Sequence, residues 1–154
     1  MRIDPSFEQM YRAEYGSVFR AVYLLCGDKA MAEDATQEAF ARALERWRRL
    51  EGRSWAAGWV VTTALNISRR ALRRRPEPVL VEKNPSPDPD ELLDLRMAVH
   101  SLPRRQQEAV VLHYLSDLPV EDVARAMGTA PGTVKAHLNR AREAIASKLA
   151  GRVS

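Results

Sequence analysis

Apolar residues recur at helical spacing through most of this chain. Phe7, Met10 or Tyr11, Val18, Val22 and Leu25 repeat every three to four positions, which predicts an amphipathic helix over 7–25. Gly27 can end it in left-handed backbone, and the Asp28 carboxylate can cap the next helix. That helix is predicted over 30–48. At 100° per residue, Thr36, Phe40, Ala43, Leu44 and Trp47 form its core stripe. Asp34, Gln37, Glu38, Ala41 and Glu45 fall within about 60° of zero, counted from Asp34, on the opposite face. A third long helix is predicted over 60–75. Further on, Pro103 fits the first turn of a helix running to Leu115. Glu121 and Asp122 then open a short helix at its positive end. A last helix begins near Pro131. Val134, Leu138, Ala141, Ile145 and Leu149 share its core face, while Gly132, Thr133, Ala136, Asn139 and Arg140 lie opposite, with Lys135 at one edge.

Residues 120–139 have the spacing of a helix-turn-helix. Ala124 is small where two helices must cross closely. Gly128 stands where the turn needs a positive φ, and Val134 and Leu138 face back inward. Such a motif places its second helix in the major groove. There Arg140 can pair with guanine and Asn139 with adenine. Helices of this kind also occur in proteins that do not bind DNA, but the basic, polar outer face favours DNA.

The proline distribution divides the pattern in two. Residues 76–91 hold five of the nine prolines, and proline lacks an amide donor. The segment therefore reads as a linker between lobes at 5–75 and 92–151, each near the small end for an independent core. Charge follows the same division. Residues 1–75 carry 14 Lys/Arg against 9 Asp/Glu, residues 76–95 carry 1 against 6, and residues 96–154 carry 9 against 5. Two basic lobes suited to a phosphate backbone thus flank an acidic strap that DNA would repel. Acidic linkers are also often simply solvated.

Little else in the composition points to chemistry. Cys26 is the only cysteine, which leaves no intrachain disulfide, and its apolar surroundings suit a core residue. His100, His113 and His137 have no metal-ligand spacing, so neither metal nor cofactor is expected. No signal peptide and no membrane-length apolar run stands out, which makes a cytoplasmic protein the default, and no glycine-rich phosphate loop or Ser/His/Asp arrangement stands out, so no enzyme is expected. A carboxylate-rich face on a basic lobe suits a basic protein partner, although an ordinary solvated face has the same composition.

Two stretches suit unpaired DNA. The run RWRRLEGRSWAAGW at 46–59 interleaves three tryptophans with Arg46, Arg48, Arg49 and Arg53 around a loop marked by Gly52 and Ser54. Rings stack on bases while guanidiniums hold phosphates. Trp47 and Trp59 read as core, and Trp55, beside the loop, suits either role. The run NISRRALRRR then concentrates Arg69, Arg70, Arg73, Arg74 and Arg75 at a helix C-terminus, more than capping requires.

Together these segments resemble one family. AEDATQEAF at 32–40, followed by RALERW, resembles the polymerase-docking helix of bacterial extracytoplasmic-function (ECF) sigma factors, of the sigma-70 family. WVVTTALNISRRALRRR at 59–75 resembles the helices that read the minus-ten promoter element. SLPRRQQEAVVLHYL and GTAPGTVKAHLNRARE resemble the domain that reads the minus-thirty-five element. The resemblance covers nearly the whole chain in the family's order. It implies an all-α fold of two small helical domains, a sigma region 2 bundle and a sigma region 4 helix-turn-helix, joined by the Pro-rich acidic linker.

The resemblance also implies roles. Asp34, Gln37 and Glu38 match the motif that binds the coiled coil of the largest polymerase subunit, and Ala41 and Glu45 share their face. The loop 50–55 matches the one that holds a flipped minus-ten base, with Trp55 as stacking face and Arg53 and Ser54 as donors. Asn66 matches the family asparagine near that element, and Arg48, Arg69, Arg70 and Arg73 are the accompanying cations. Thr133, Lys135, Ala136, Asn139 and Arg140 face the minus-thirty-five element. The implied partners are core RNA polymerase, promoter DNA and an anti-sigma factor, with a monomer when free and no membrane. The chain departs from the family at Ala130 and Pro119, where capping serines are usual, at Ala136, which has no donor, and at His137, often arginine. It shows no extra domains of the housekeeping kind, which leaves promoter melting to the first lobe. Two other readings stay open: a free-standing helix-turn-helix repressor, and a sigma-like protein that sequesters polymerase or an anti-sigma factor.

Overall fold

The computed structural model describes residues 2–74 and 90–151, with side chains left undescribed at 90–93. The segment read as a linker, including Glu82 and Asp88, lies outside the described residues, as does Arg75. Only Asp90 and Glu91 of that segment are described, and their backbone is already helical. The described residues contain helices and turns and no strand. They fall into two units, one within 1–81 and one within 82–154.

The first unit packs α1 (Pro5–Cys26), α2 (Lys29–Glu45) and α4 (Ala56–Arg73) around one core, with the short α3 (Trp47–Leu50) between the last two. Alanines explain how α2 fits between its neighbours. Ala32, Ala35, Ala39 and Ala43 are all at most 1% exposed, and side chains that small let helix backbones approach closely. Phe40 supplies the bulk. It meets Tyr11 edge-on at 4.9 Å and stacks on Tyr15 at 5.8 Å. Burying such a ring contributes about 1.5–3 kcal/mol. The expected caps form: Gly27 is left-handed at φ 70°, and Asp28 accepts from the Met31 amide at 3.0 Å. Cys26 is buried, and its thiol donates to the Asp28 carbonyl. Asp4 caps α1 through the Ser6 amide, and the Ser6 hydroxyl and amide hold its carboxyl below the usual pKa.

Three expectations for this unit need correction. Helix α2 ends at Glu45 and not near Arg48, because Arg46 leaves helical geometry (φ −107°, ψ 18°) before α3 restarts the chain. Leu44 is exposed, not core; it lies about 120° round the helix from the centre of the face that Met31, Ala32, Ala35, Thr36, Ala39, Phe40 and Ala43 bury. Helix α4 begins at Ala56, a full turn before Val60, since Ala56 and Gly58 are themselves buried.

The second unit packs α5 (Asp90–His100), α6 (Arg104–Val110), α7 (Val120–Met127) and α8 (Pro131–Ala150). Pro103 precedes α6 as its N-cap and is not in its first turn. Val111–Leu115 is a π-helical turn, not a continuation of α6; the Ser116 amide reaches five residues back to the Val111 carbonyl at 3.1 Å. Val134, Leu138 and Ala141 of α8 are buried and Ile145 is half-buried. Leu149, expected on the core face, is exposed; it sits at the stripe's edge in the last turn. The least expected core residue is Glu108, fully buried, with Oε2 2.8 Å from Arg105 and Oε1 3.3 Å from Arg104. Arg105 also donates to the Met127 carbonyl at 2.8 Å, which ties α6 to the end of α7.

Candidate functional site

On α2, Asp34, Gln37, Glu38, Ala41 and Glu45 are all exposed on one face. Glu38 pairs with Arg42 one turn on, at 2.6 Å. An exposed pair of this spacing contributes only about 0.3–0.5 kcal/mol, so Glu38 can exchange that partner at little cost. Asp34 and Glu38 do not stand on a plain solvated surface. They line a hollow of about 330 Å³ whose other walls are Ala30, Met31 and Ala35 of α2 and Ile67, Ser68 and Ala71 of α4. Carboxylates beside small apolar residues suit a cation on an aliphatic stem.

A second hollow, of about 190 Å³, lies further along the same two helices. Arg42 of α2, Arg46 at its C-cap, and Trp59, Thr63, Asn66, Ile67 and Arg70 of α4 line it. Three guanidiniums, an indole and a carboxamide surround this space, with no carboxylate among them. The Arg46 guanidinium lies 5.7 Å from the Trp59 ring centroid, a cation–π distance. Ile67 belongs to both hollows, which therefore adjoin.

The expected minus-ten contacts do not all meet there. Asn66 and Arg70 line the basic hollow. Asn66 and Arg69 are half-buried, and Arg69 donates to Asn66 Oδ1 at 3.3 Å. Arg73 is exposed at the end of α4. Arg48 of α3 is exposed, and so are Arg53 and Ser54, which with Gly52 (φ 74°) and Glu51 form the loop proper. Leu50 is buried in α3, so the exposed loop is shorter than 50–55. Trp55 is half-buried at the N-cap of α4. Trp47 is core, but Trp59 is only half-buried, contrary to expectation. Trp59, Arg42 and Thr63 are therefore site-lining residues that sequence reasoning missed, whereas Arg46 belongs to the arginine–tryptophan run singled out at 46–59. The signal was available: Trp59, Thr63, Asn66 and Arg70 recur at helical spacing and define one face of α4.

In the second unit, the turn after α7 has the expected form. Gly128 is left-handed (φ 67°), the Thr129 amide donates to the Ala124 carbonyl at 2.9 Å, and Ala124 is buried. On α8, Thr133, Lys135, Asn139 and Arg140 are exposed and Ala136 is half-buried. Neither Pro119 nor Ala130 makes a side-chain cap, which leaves α8 with only the proline at its first turn to favour initiation. Arg142, which the sequence did not single out, organises this surface. It donates to Asn139 Oδ1 at 3.1 Å and to the Tyr114 hydroxyl at 2.6 Å. Its guanidinium lies 5.6 Å from the Tyr114 ring centroid. Asn139 is thus presented with its carbonyl already engaged. Among the described residues no cluster of His, Cys, Asp or Glu is arranged to hold a metal ion, and no helix is long and apolar enough to cross a membrane.

Known proteins are similar to this chain in sequence and fold. The family described as Sigma-70 region 2 matches residues 10–76, and Sigma-70, region 4 matches residues 92–145. The ECF RNA polymerase sigma factor BldN of Streptomyces coelicolor is 36% identical over 94% of this chain and 60% of its own length. The ECF RNA polymerase sigma factor SigE of Mycolicibacterium smegmatis is 29% identical, over 95% and 62%. This chain therefore spans about three-fifths of the length of those two relatives. The ECF RNA polymerase sigma factor EcfG of Rhodopseudomonas palustris is 30% identical, over 81% and 75%. Among solved structures, the sigma factor RpoE of Bartonella quintana, crystallised with the anti-sigma factor NepR, superposes with a TM-score of 0.73. The match is 25% identical and covers 93% of this chain and 96% of that one.

Proposed function

The chain belongs to the sigma-70 family of RNA polymerase sigma factors, in its extracytoplasmic-function group, and from that membership we propose that it binds core RNA polymerase and directs it to two-part promoters. One observation carries this reading. Within a single small unit, an acidic hollow at Asp34 and Glu38 adjoins a basic, aromatic hollow at Arg42, Arg46, Trp59, Asn66 and Arg70. The first has the chemistry of a basic protein surface's partner, and the second that of unpaired nucleic acid. A free-standing repressor has no use for the pair.

In this reading Asp34, Gln37 and Glu38, with Ala41 and Glu45 on the same face, meet the polymerase. Arg48, Arg53, Ser54, Trp55, Asn66, Arg69, Arg70 and Arg73 engage the minus-ten element, and Thr133, Lys135, Ala136, Asn139 and Arg140 the minus-thirty-five element. The protein catalyses nothing itself and works in the cytoplasm, where it meets core polymerase. An anti-sigma factor is its third partner. Run-off transcription over genomic fragments with purified core polymerase tests the proposal. Specific transcripts that require the chain support it, and a gel shift on a palindrome without polymerase would replace it by the repressor reading.

Two variants refine the DNA assignments. Arg140→Ala should weaken use of promoters bearing the cognate upstream element by about 1–3 kcal/mol, the range for a bidentate base contact, with polymerase affinity unchanged. Uniform weakening on all sequences would make Arg140 a phosphate contact instead. Trp55→Ala and Asn66→Ala should form closed complexes on duplex promoters but open them poorly. Stacking on one aromatic contributes about 1–3 kcal/mol, comparable to unpairing a weak base pair. Permanganate reactivity of thymines should be restored on a template with a pre-melted bubble. Joint loss of thermal stability and polymerase binding would mark Trp55 as a packing residue.

A further inference from the structure

The exposed loop 51–54 is anchored at both ends. A Cβ added at Gly52 would have no neighbour within 4 Å, so this residue borders open space. At the far end the Ala56 amide donates to the Arg53 carbonyl at 3.1 Å and Ala56 is buried. At the near end the Glu51 amide donates to the Trp47 carbonyl at 2.7 Å, and the Arg53 amide to the Leu50 carbonyl at 3.0 Å. A residue remote in sequence joins this near end. Trp47 Nε1 donates to the Ser6 hydroxyl oxygen at 2.8 Å. The same hydroxyl lies 3.1 Å from Glu51 Oε1 and 2.6 Å from Asp4 Oδ1. It has one proton, so it donates to one carboxylate at a time while accepting from the indole. Beside it, Phe7 packs edge-on against Trp47 at 5.4 Å.

We propose that Ser6 is a positioning residue for the loop 51–54: from the first turn of α1 it ties down both Trp47, which opens α3, and Glu51, which opens the loop. The proposal rests on the reading of that loop as the base-capturing element. Trp47 is only 8% exposed, so its N–H needs an acceptor inside the fold, and Ser6 supplies it. Losing the Ser6 hydroxyl leaves the α1 cap with its backbone bond to Asp4 and touches neither α2's carboxylates nor α4's arginines. Its effect should therefore be confined to α3 and the loop.

The test compares Ser6→Ala, Ser6→Thr and Trp55→Ala in the full chain and in the holoenzyme. In the free protein, Ser6→Ala should speed amide hydrogen exchange at Arg53 and Ala56 by about two- to tenfold, the scale of one hydrogen bond, without change in α2 or the rest of α4. In the holoenzyme it should slow promoter opening by a similar factor with assembly unchanged, and Ser6→Thr, which keeps the hydroxyl, should restore both readouts. Wild-type exchange in the loop overturns the proposal, and so does faster exchange throughout the unit, which would mean general loosening. Local loosening with normal opening, while Trp55→Ala blocks opening, overturns the positioning role and leaves the loop reading intact. If Trp55→Ala also opens normally, the loop reading itself fails, and with it the role assigned to Ser6.

Discussion

Reversing Asp34 and Glu38 to lysine should abolish assembly with core RNA polymerase while leaving helix content and melting temperature almost unchanged. The fold has little at stake in either carboxylate. Both are exposed, and among the described residues the only ion pair the change breaks is Glu38 with Arg42, worth a few tenths of a kcal/mol at that spacing. Docking has much more at stake. Each carboxylate is a charge-assisted acceptor beside an apolar hollow, and each reversal replaces an attraction by a repulsion against a basic partner. The summed loss should be on the order of 3–6 kcal/mol, which corresponds to about a hundredfold or more in affinity. Co-purification with core polymerase and a titration of fluorescently labelled protein measure it, with circular dichroism as the control. Unchanged affinity with an intact fold would remove the docking assignment for this face.

The elements that could be read from the sequence were those with a local physical signature. The 3.6-residue period placed α1, α2 and α8, and single residues marked helix boundaries: Gly27 ends α1 and Gly128 ends α7 in left-handed backbone, and Asp28 caps the start of α2. The acidic face of α2 was legible because a helix fixes which side chains share a side. What escaped were contacts between elements. Trp59 reads as core on hydrophobicity alone. It becomes half of a cation–π pair because Arg46, at the C-cap of α2, reaches across to α4. Arg142 looked like one more surface cation, and its role depends on Tyr114, 28 residues away across the π-helical turn. Ser6 meets Trp47 and Glu51 across 41 and 45 residues. No periodicity encodes such pairs. Leu44 failed because the buried face of α2 is centred on its alanines, well round the helix from the expected stripe, and Leu149 because a stripe drawn at 100° per residue does not say how far the neighbouring helices extend to cover its edges.

The largest effect on stability should come from Arg105, and it should be asymmetric. Glu108 has no exposed surface, whereas the Arg104 and Arg105 side chains are 50% and 43% exposed. Removing the guanidiniums leaves the buried carboxylate without those two partners. Removing the carboxylate leaves two cations that water can already reach. Breaking a buried ion pair from the side that strands the charge costs about 3–5 kcal/mol, while replacing the charge by a well-packed apolar group is often neutral. Arg105→Ala also loses the bond to the Met127 carbonyl, worth about 1 kcal/mol. For a unit of this size, with about 0.05–0.15 kcal/mol of stability per residue, that loss approaches the whole. The expected order is Arg104→Ala/Arg105→Ala least stable, Arg105→Ala next, and Glu108→Met close to the parent. In the Glu108→Met background, Arg105→Ala should cost little beyond the Met127 bond, which a double-mutant cycle measures directly. Indole fluorescence follows the first unit, because all three tryptophans lie at residues 47–59; amide exchange in α7 and α8 follows the second. Loss of protection in α7 and α8 with an unchanged indole transition is the expected signature. The same variant should lose selection for the upstream promoter element before it loses polymerase, since Arg105 holds the end of α7 from which the Gly128 turn launches α8. Equal destabilisation by Glu108→Met and Arg105→Ala would show that the carboxylate contributes through packing and not through its charge.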